Sequence, residues 1–140
     1  MKVRIIPMNH DKEFAGRTIE NIQNDFFLGE EMSLSANGNC RCYHDTYGLQ
    51  EVDEGDLLIF QMDASIIASA ELSGIPIKSD DPNYKAEYLL KKDSIKVFYP
   101  ILENELKDHC PGFSRFGQGK LKLTDYGLDV EWLLKRINNI

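Results

Sequence analysis

The stretch from Glu54 to Leu72, EGDLLIFQMDASIIASAEL, constrains the fold of this chain more than any other. Two apolar runs, Leu57 to Phe60 and Ile66 to Leu72, flank Met62-Asp63-Ala64-Ser65, which is the pattern of a β-hairpin at the core of a sheet. Gly55-Asp56, just ahead of the first run, supplies the turn that aims it inward.

The remainder reads as elements wrapped around this hairpin. At 140 residues, 42% hydrophobic and 28% charged, the chain fits one domain over residues 1–140 with one core. MKVRIIPMNH has too short an apolar run for a secretory signal, and no later stretch approaches the roughly 20 apolar residues of a membrane span. A cytoplasmic location and no membrane partner are expected. Cys40, Cys42 and Cys110 do not suggest a disulfide framework and fit a reducing compartment. Cys40-Arg41-Cys42 with His44, and His109 with Cys110, are spaced more tightly than zinc ligand pairs, so neither a metal nor a cofactor is expected.

The formal charge of −7 opposes indiscriminate binding to phosphate backbones. Its distribution is uneven. Residues 1–87 carry 7 basic and 16 acidic side chains, whereas residues 88–140 carry 9 basic and 7 acidic, so a polyanion is expected to approach the C-terminal third.

In chain order, Lys2 to Ile6 reads as a strand ending at Pro7. Asn9 or Asp11 can cap a helix over 12–27, with Phe14, Ile19, Ile22 and Phe26 as its apolar stripe and Gly29 closing it. Glu30 to Asp53 is a weakly patterned loop, with a short strand within Arg41 to Tyr47 that exposes Tyr43 and Tyr47. Lys78 to Asn83 is a polar excursion. Tyr84 to Leu90 and Ser94 to Tyr99 read as strands joined by a tight turn at Lys91-Lys92-Asp93, the second ended by Pro100. Ile101 to His109 reads as a short helix with Leu102 and Leu106 facing in. A final strand at Lys120 to Leu123 precedes a helix capped by Thr124 or Asp125, with Leu128, Trp132 or Leu133, and Ile137 buried. Trp132 reads most simply as a core anchor.

The sum is an α+β fold of five to seven short, mostly antiparallel strands with peripheral helices, closed into a small barrel or a strongly bent sheet. The order of elements over residues 54–140 resembles the PUA-like superfamily, and within it the EVE and ASCH branches. Glu54 to Phe60 resembles that family's "GD, apolar, apolar, F" strand, and Ile66 to Leu72 its partner. Ile95 to Ile101 followed by Glu105-Leu106-Lys107 is similar to the EVE strand ending in proline before an "ELK" helix. Lys120 to Leu123 and Trp132 fall where those domains have a last strand and a tryptophan-bearing helix. Gln61 stands where EVE domains often have tyrosine. Gly16 to Glu20 resembles the ASCH "GxKxxExR" motif, one residue short and without the final arginine.

This resemblance implies a module that binds nucleic acid, RNA or single-stranded or modified DNA, and holds an unpaired or modified base in a pocket. Such a site needs a planar side chain for stacking, a hydrogen-bonding group for the base edge and cations for phosphates. Residues 113–122 contain all three types: Phe113 and Phe116, Gln118, and Arg115, Lys120 and Lys122. Arg41, Tyr43 and Gln61 are further candidates. The plainer alternative puts both phenylalanines in the core and the cations in solvent. Two other classes stay open: an ASCH-like hydrolase of modified nucleosides drawing on residues such as Thr18, Glu20, Lys12 and His44, and a protein-interaction module using the acidic first two-thirds. No catalytic residue is assigned. There is no P-loop, dinucleotide-binding glycine fingerprint or HExxH, and the sequence leaves the oligomeric state open.

Overall fold

The structure, a computed structural model, describes residues 1–8, 10–11, 14–29, 31–32, 34, 38–44, 52–74, 77–117 and 121–138, the side chains of 43 and 44 excepted. The hairpin is its centre. β1 (Val3–Pro7) pairs in parallel with β3 (Leu57–Met62), which pairs antiparallel with β4 (Ser65–Glu71) through a turn at Asp63-Ala64. Asp63 takes a positive φ of 53°, which a short polar side chain tolerates better than a branched one. β4 pairs in turn with β7 (Lys96–Leu102), giving a four-stranded sheet in the order β1-β3-β4-β7. A second sheet runs β2-β6-β5, from Cys40–His44, Ala86–Leu90 and Ile77–Lys78.

The sheets meet where β4 runs past its own end: Leu72 bridges Leu90, Ser73 N–H donates to Leu89 O at 2.8 Å, and Lys91 N–H donates to Glu71 O at 2.9 Å. Mixed α+β content is therefore as expected. Hydrogen bonds among the described residues join two sheets at a seam and do not close them into one barrel. The expected 84–90 and 94–99 hairpin is absent for the same reason, because a 3₁₀ turn at Lys92–Ser94 carries the chain from the second sheet to the edge of the first.

Alternation along β1 and β3 sends Val3, Ile5, Leu57 and Ile59 to one apolar cluster and Ile6, Leu58, Phe60 and Met62 to the other, so the four-stranded sheet is buried on both faces. The second sheet and the segment around Ile22 and Phe27 cover one face. The other is covered by α2 (Glu103–Asp108), a 3₁₀ turn at Leu123–Tyr126 and α3 (Val130–Asn138), through Leu106, Leu123, Leu133 and Ile137. Asp129 caps α3, its Oδ1 accepting from Trp132 N–H at 3.1 Å. Trp132 is half-buried against this cluster and stacks on His109 with ring centroids 4.0 Å apart.

Several boundaries move for local reasons. The first helix begins as α1 (Ile19–Asn21), because the Thr18 hydroxyl accepts from Asn21 N–H at 3.0 Å and caps it; Asn9 and residues 12–13 lie outside the described residues. It continues as a π turn over Ile22–Phe27, with Leu28 N–H donating to Gln23 O at 3.1 Å, and Gly29 follows where a Cβ would clash with the Asp25 carbonyl. β2 stops at His44, and Tyr47 lies outside the described residues. Leu102 ends β7 and is exposed; only Leu106 faces in from the following helix. In place of a last strand, Lys122 makes a single bridge to Arg4, and Lys120 lies outside the described residues.

Pro100 does not end β7 but sits inside it, at a bulge. Ile66 pairs with Ile101 and Ala68 with Val97, so Phe98-Tyr99-Pro100 stand opposite Ile67 alone. Carbonyls freed there need donors, and a proline without an N–H fits such a position. The Gln23 amide supplies two of them, donating to Ile67 O at 2.9 Å and Phe98 O at 2.8 Å. Arg136 of α3 donates to Tyr99 O at 2.8 Å while its Nε holds Glu105 at 2.7 Å.

Asp56 performs the matching task at the other end of the hairpin. It is buried, and its carboxylate accepts from Lys2 N–H at 3.0 Å and Asp53 N–H at 2.9 Å, with the Lys2 ammonium at 3.7 Å. Burial opposes its ionisation, yet these N–H donations and the charges of Lys2 and Arg4 outweigh burial and hold the carboxyl below its ordinary 3.8.

Gln23→Leu keeps the bulk and removes both donations, and is expected to lower unfolding stability by about 1–3 kcal/mol in urea titrations. The lowered Asp56 pKa adds stability that is complete above the unfolded-state value and is lost as pH falls through the folded one. Asp56→Asn should accordingly cost stability at pH 7 and flatten the acid limb of a melting-temperature profile.

Candidate functional site

The residues singled out by sequence do not gather at one place. Arg41, on β2, is held between Glu87 at 2.6 Å and Asp80 at 2.8 Å, and Glu87 is buried, so this guanidinium neutralises a buried carboxylate. Gln61, near the end of β3, turns its amide back to Asp63 O at 2.6 Å. Phe113 is buried in the cluster beneath α3, and Phe116 packs half-buried on it with centroids 5.3 Å apart. Arg115, between them in sequence, is exposed. Lys122 pairs with Asp125 at 3.2 Å. Gln118, Lys120 and the side chain of Tyr43 lie outside the described residues.

The hydrolase candidates are likewise engaged or dispersed. The Thr18 hydroxyl is spent on its helix cap, Glu20 is exposed, and Lys12 and the His44 side chain lie outside the described residues. His10 has the look of a base beside a carboxylate, but both ring nitrogens face acceptors: Asp63 Oδ2 at 2.9 Å and Arg17 O at 2.5 Å. Acceptors at both nitrogens favour the protonated ring, which pins the hairpin turn to the segment before α1. The thiols are similarly quiet. Burial pushes Cys40 and Cys110 up, away from the thiolate that nucleophilic attack or metal binding requires, and the described residues include no group of three metal-ligating side chains.

What the fold does bring together is a cleft of about 620 Å³ on the α3 side of the four-stranded sheet. Leu57 from β3 and Leu134 and Ile137 from α3 give it apolar walls. Lys91, Lys92 and Lys96 line it, delivered by the 3₁₀ turn that links the two sheets and by the first residue of β7, together with the carboxylates of Glu71 and Asp93. Their surroundings differ. Lys91 is shared between Glu54 and Glu71, both at 3.7 Å, whereas Lys96 rests on the Asn138 side-chain oxygen and Lys92 has no carboxylate partner among the described residues. Ser94 secures the turn, accepting from Glu71 N–H at 2.8 Å and donating to Lys91 O at 2.6 Å.

One more lining residue is out of place energetically. Ser69, in the middle of β4, is fully buried, and among the described residues its Oγ has no hydrogen-bond partner. Leaving such a group unsatisfied costs about 1–3 kcal/mol, and the other serine of the strand, Ser65, avoids this by donating to Met62 O. A small polar residue between two alanines, inside the run Ile66 to Leu72, was the available sequence signal for Ser69. Nothing comparable marked the lysines, whose sequence context is that of an ordinary turn, for Lys91 and Lys92, and of the strand after it, for Lys96. A second cleft, of about 500 Å³, lies within residues 78–85, with Asp80 on its lining.

Compared with protein-family models, curated proteins and solved structures, the chain matches none of them.

The His10 geometry has a direct readout. Donation to the Arg17 carbonyl, then to Asp63, raises its pKa above the ordinary 6.5. The stability it adds is complete below the unfolded-state value and is lost as pH rises through the folded one. The His10 ring resonances should titrate above those of a free histidine, and Asp63→Asn should bring the midpoint down.

Proposed function

We propose that the protein is a nucleic-acid-binding module with a PUA-like kinship, taking unpaired or modified segments of RNA or single-stranded DNA at the lysine-rimmed cleft. The observation that carries this reading is the pairing of two cations lacking a carboxylate partner among the described residues, Lys92 and Lys96, with apolar walls from Leu57, Leu134 and Ile137. Ammonium groups neutralise phosphate, and a wall of this kind accepts the face of a base that has left its stack. Duplex DNA offers only its backbone to such a cleft, and the chain's charge of −7 works against backbone binding alone. The central hairpin, the strand leading to the Glu105-Leu106-Lys107 helix and the Trp132-bearing helix support the kinship; the two-sheet arrangement leaves barrel closure as part of the proposal.

Fluorescence anisotropy with labelled RNA and DNA strands tests this. Wild-type protein should bind single strands at low salt and plain duplex far more weakly. With Lys92→Ala and Lys96→Ala combined, the slope of log affinity against log salt should fall by about 1.4, the value for two lost phosphate contacts on a single strand. Absence of binding to every RNA and DNA strand at low salt would sink the reading.

A further inference from the structure

Resting on that reading of the cleft, we propose that Ser69 is its specificity-determining residue: the hydroxyl hydrogen-bonds the polar edge of a base lodged against Leu57, Leu134 and Ile137. Two observations converge on this position: Ser69 lines the cleft, and among the described residues its buried Oγ has no partner. An unpaired buried hydroxyl is a cost that a ligand repays, and a serine can donate or accept, so it meets a base edge of either polarity.

The ladder also provides the way in. Ser69 pairs directly with Lys96 across β4 and β7, so the two side chains rise from the same face of the sheet, about 5 Å apart at their Cβ atoms. The lysine stem stands beside the hydroxyl, and the ammonium is drawn toward α3 by Asn138. A phosphate that takes the ammonium moves the stem away from Asn138 and opens Ser69 to the base attached to that phosphate. Phosphate capture and base reading are thereby linked through two residues opposite each other in one ladder.

The test compares wild type and Ser69→Ala, using short single strands of each base composition, the same strands with abasic sugars, and thermal unfolding without ligand. Ser69→Ala should raise the melting temperature, weaken the preferred base-bearing strand about fivefold, narrow the spread among the four bases and leave abasic strands unaffected. Equal binding of base-bearing strands by the two proteins would overturn the assignment while the nucleic-acid reading stood. So would an equal loss on abasic strands, or a lowered melting temperature. If wild type binds no strand at all, the nucleic-acid reading fails and this assignment with it.

Discussion

Burial of the β3–β4 pair on both faces sets the terms for everything else in this fold. A strand with one wet face can leave an irregularity to water, but here the apolar residues of β3 and β4 divide between two buried clusters, one on each face. Each break in the ladder therefore needs a donor or acceptor brought from elsewhere. At the entry to β3 the acceptor is Asp56, which takes N–H groups from Lys2 and Asp53 and so aligns β1. At the β4–β7 bulge the donors are Gln23 and Arg136. The distant segments that cover the sheet's two faces are thus tied to its weakest point from opposite sides, and the π turn at Ile22–Phe27 is part of how Gln23 is set in place.

Much of this frame was legible because burial on both faces leaves an unusual trace: apolar residues in an unbroken run, stopped by a short polar turn. The hairpin, β1 and most of the core follow from that pattern. What was not legible is pairing between elements distant in sequence. The parallel contact of β1 with β3 has no local signature, and Lys91-Lys92-Asp93 looks the same whether it reverses a hairpin or carries the chain between sheets. Pro100 misleads as a strand end because only the bulge makes its missing N–H harmless. The cationic aromatic segment at 113–122 illustrates the same limit. Its composition is that of a stacking site, yet Phe113 lies beneath α3 and Lys122 has Asp125 beside it, since cluster membership is decided by partners the segment itself does not contain.

The charge asymmetry of the sequence was informative at a coarser level. Residues 88–140 hold the basic excess, and the lysines at the cleft belong to that part of the chain. Within it, however, most cations are matched: Lys107 with Glu103, Lys135 with Glu131, Arg136 with Glu105. Such pairs, where they lie at the surface, contribute little stability, but they withdraw positive charge from long-range attraction. Lys92 and Lys96 differ through their neighbours, not through any property of lysine.

An acidic protein with a small cationic cleft is a poor general binder of polyanions, and on the proposed reading that is an advantage. Specificity is a difference between affinities, and non-specific affinity for nucleic acid comes from phosphate neutralisation summed over many sites. A surface dominated by carboxylates removes most of that sum. What remains must come from a ligand that reaches the cleft, where two ammonium groups meet phosphate and apolar walls meet a base. Duplex segments, whose bases stay stacked, then gain only a contribution that the rest of the surface opposes. On that reading, a more basic surface would bind any strand more tightly while drowning the discrimination proposed for the cleft and Ser69, and the acidity of the chain would work together with its two lysines.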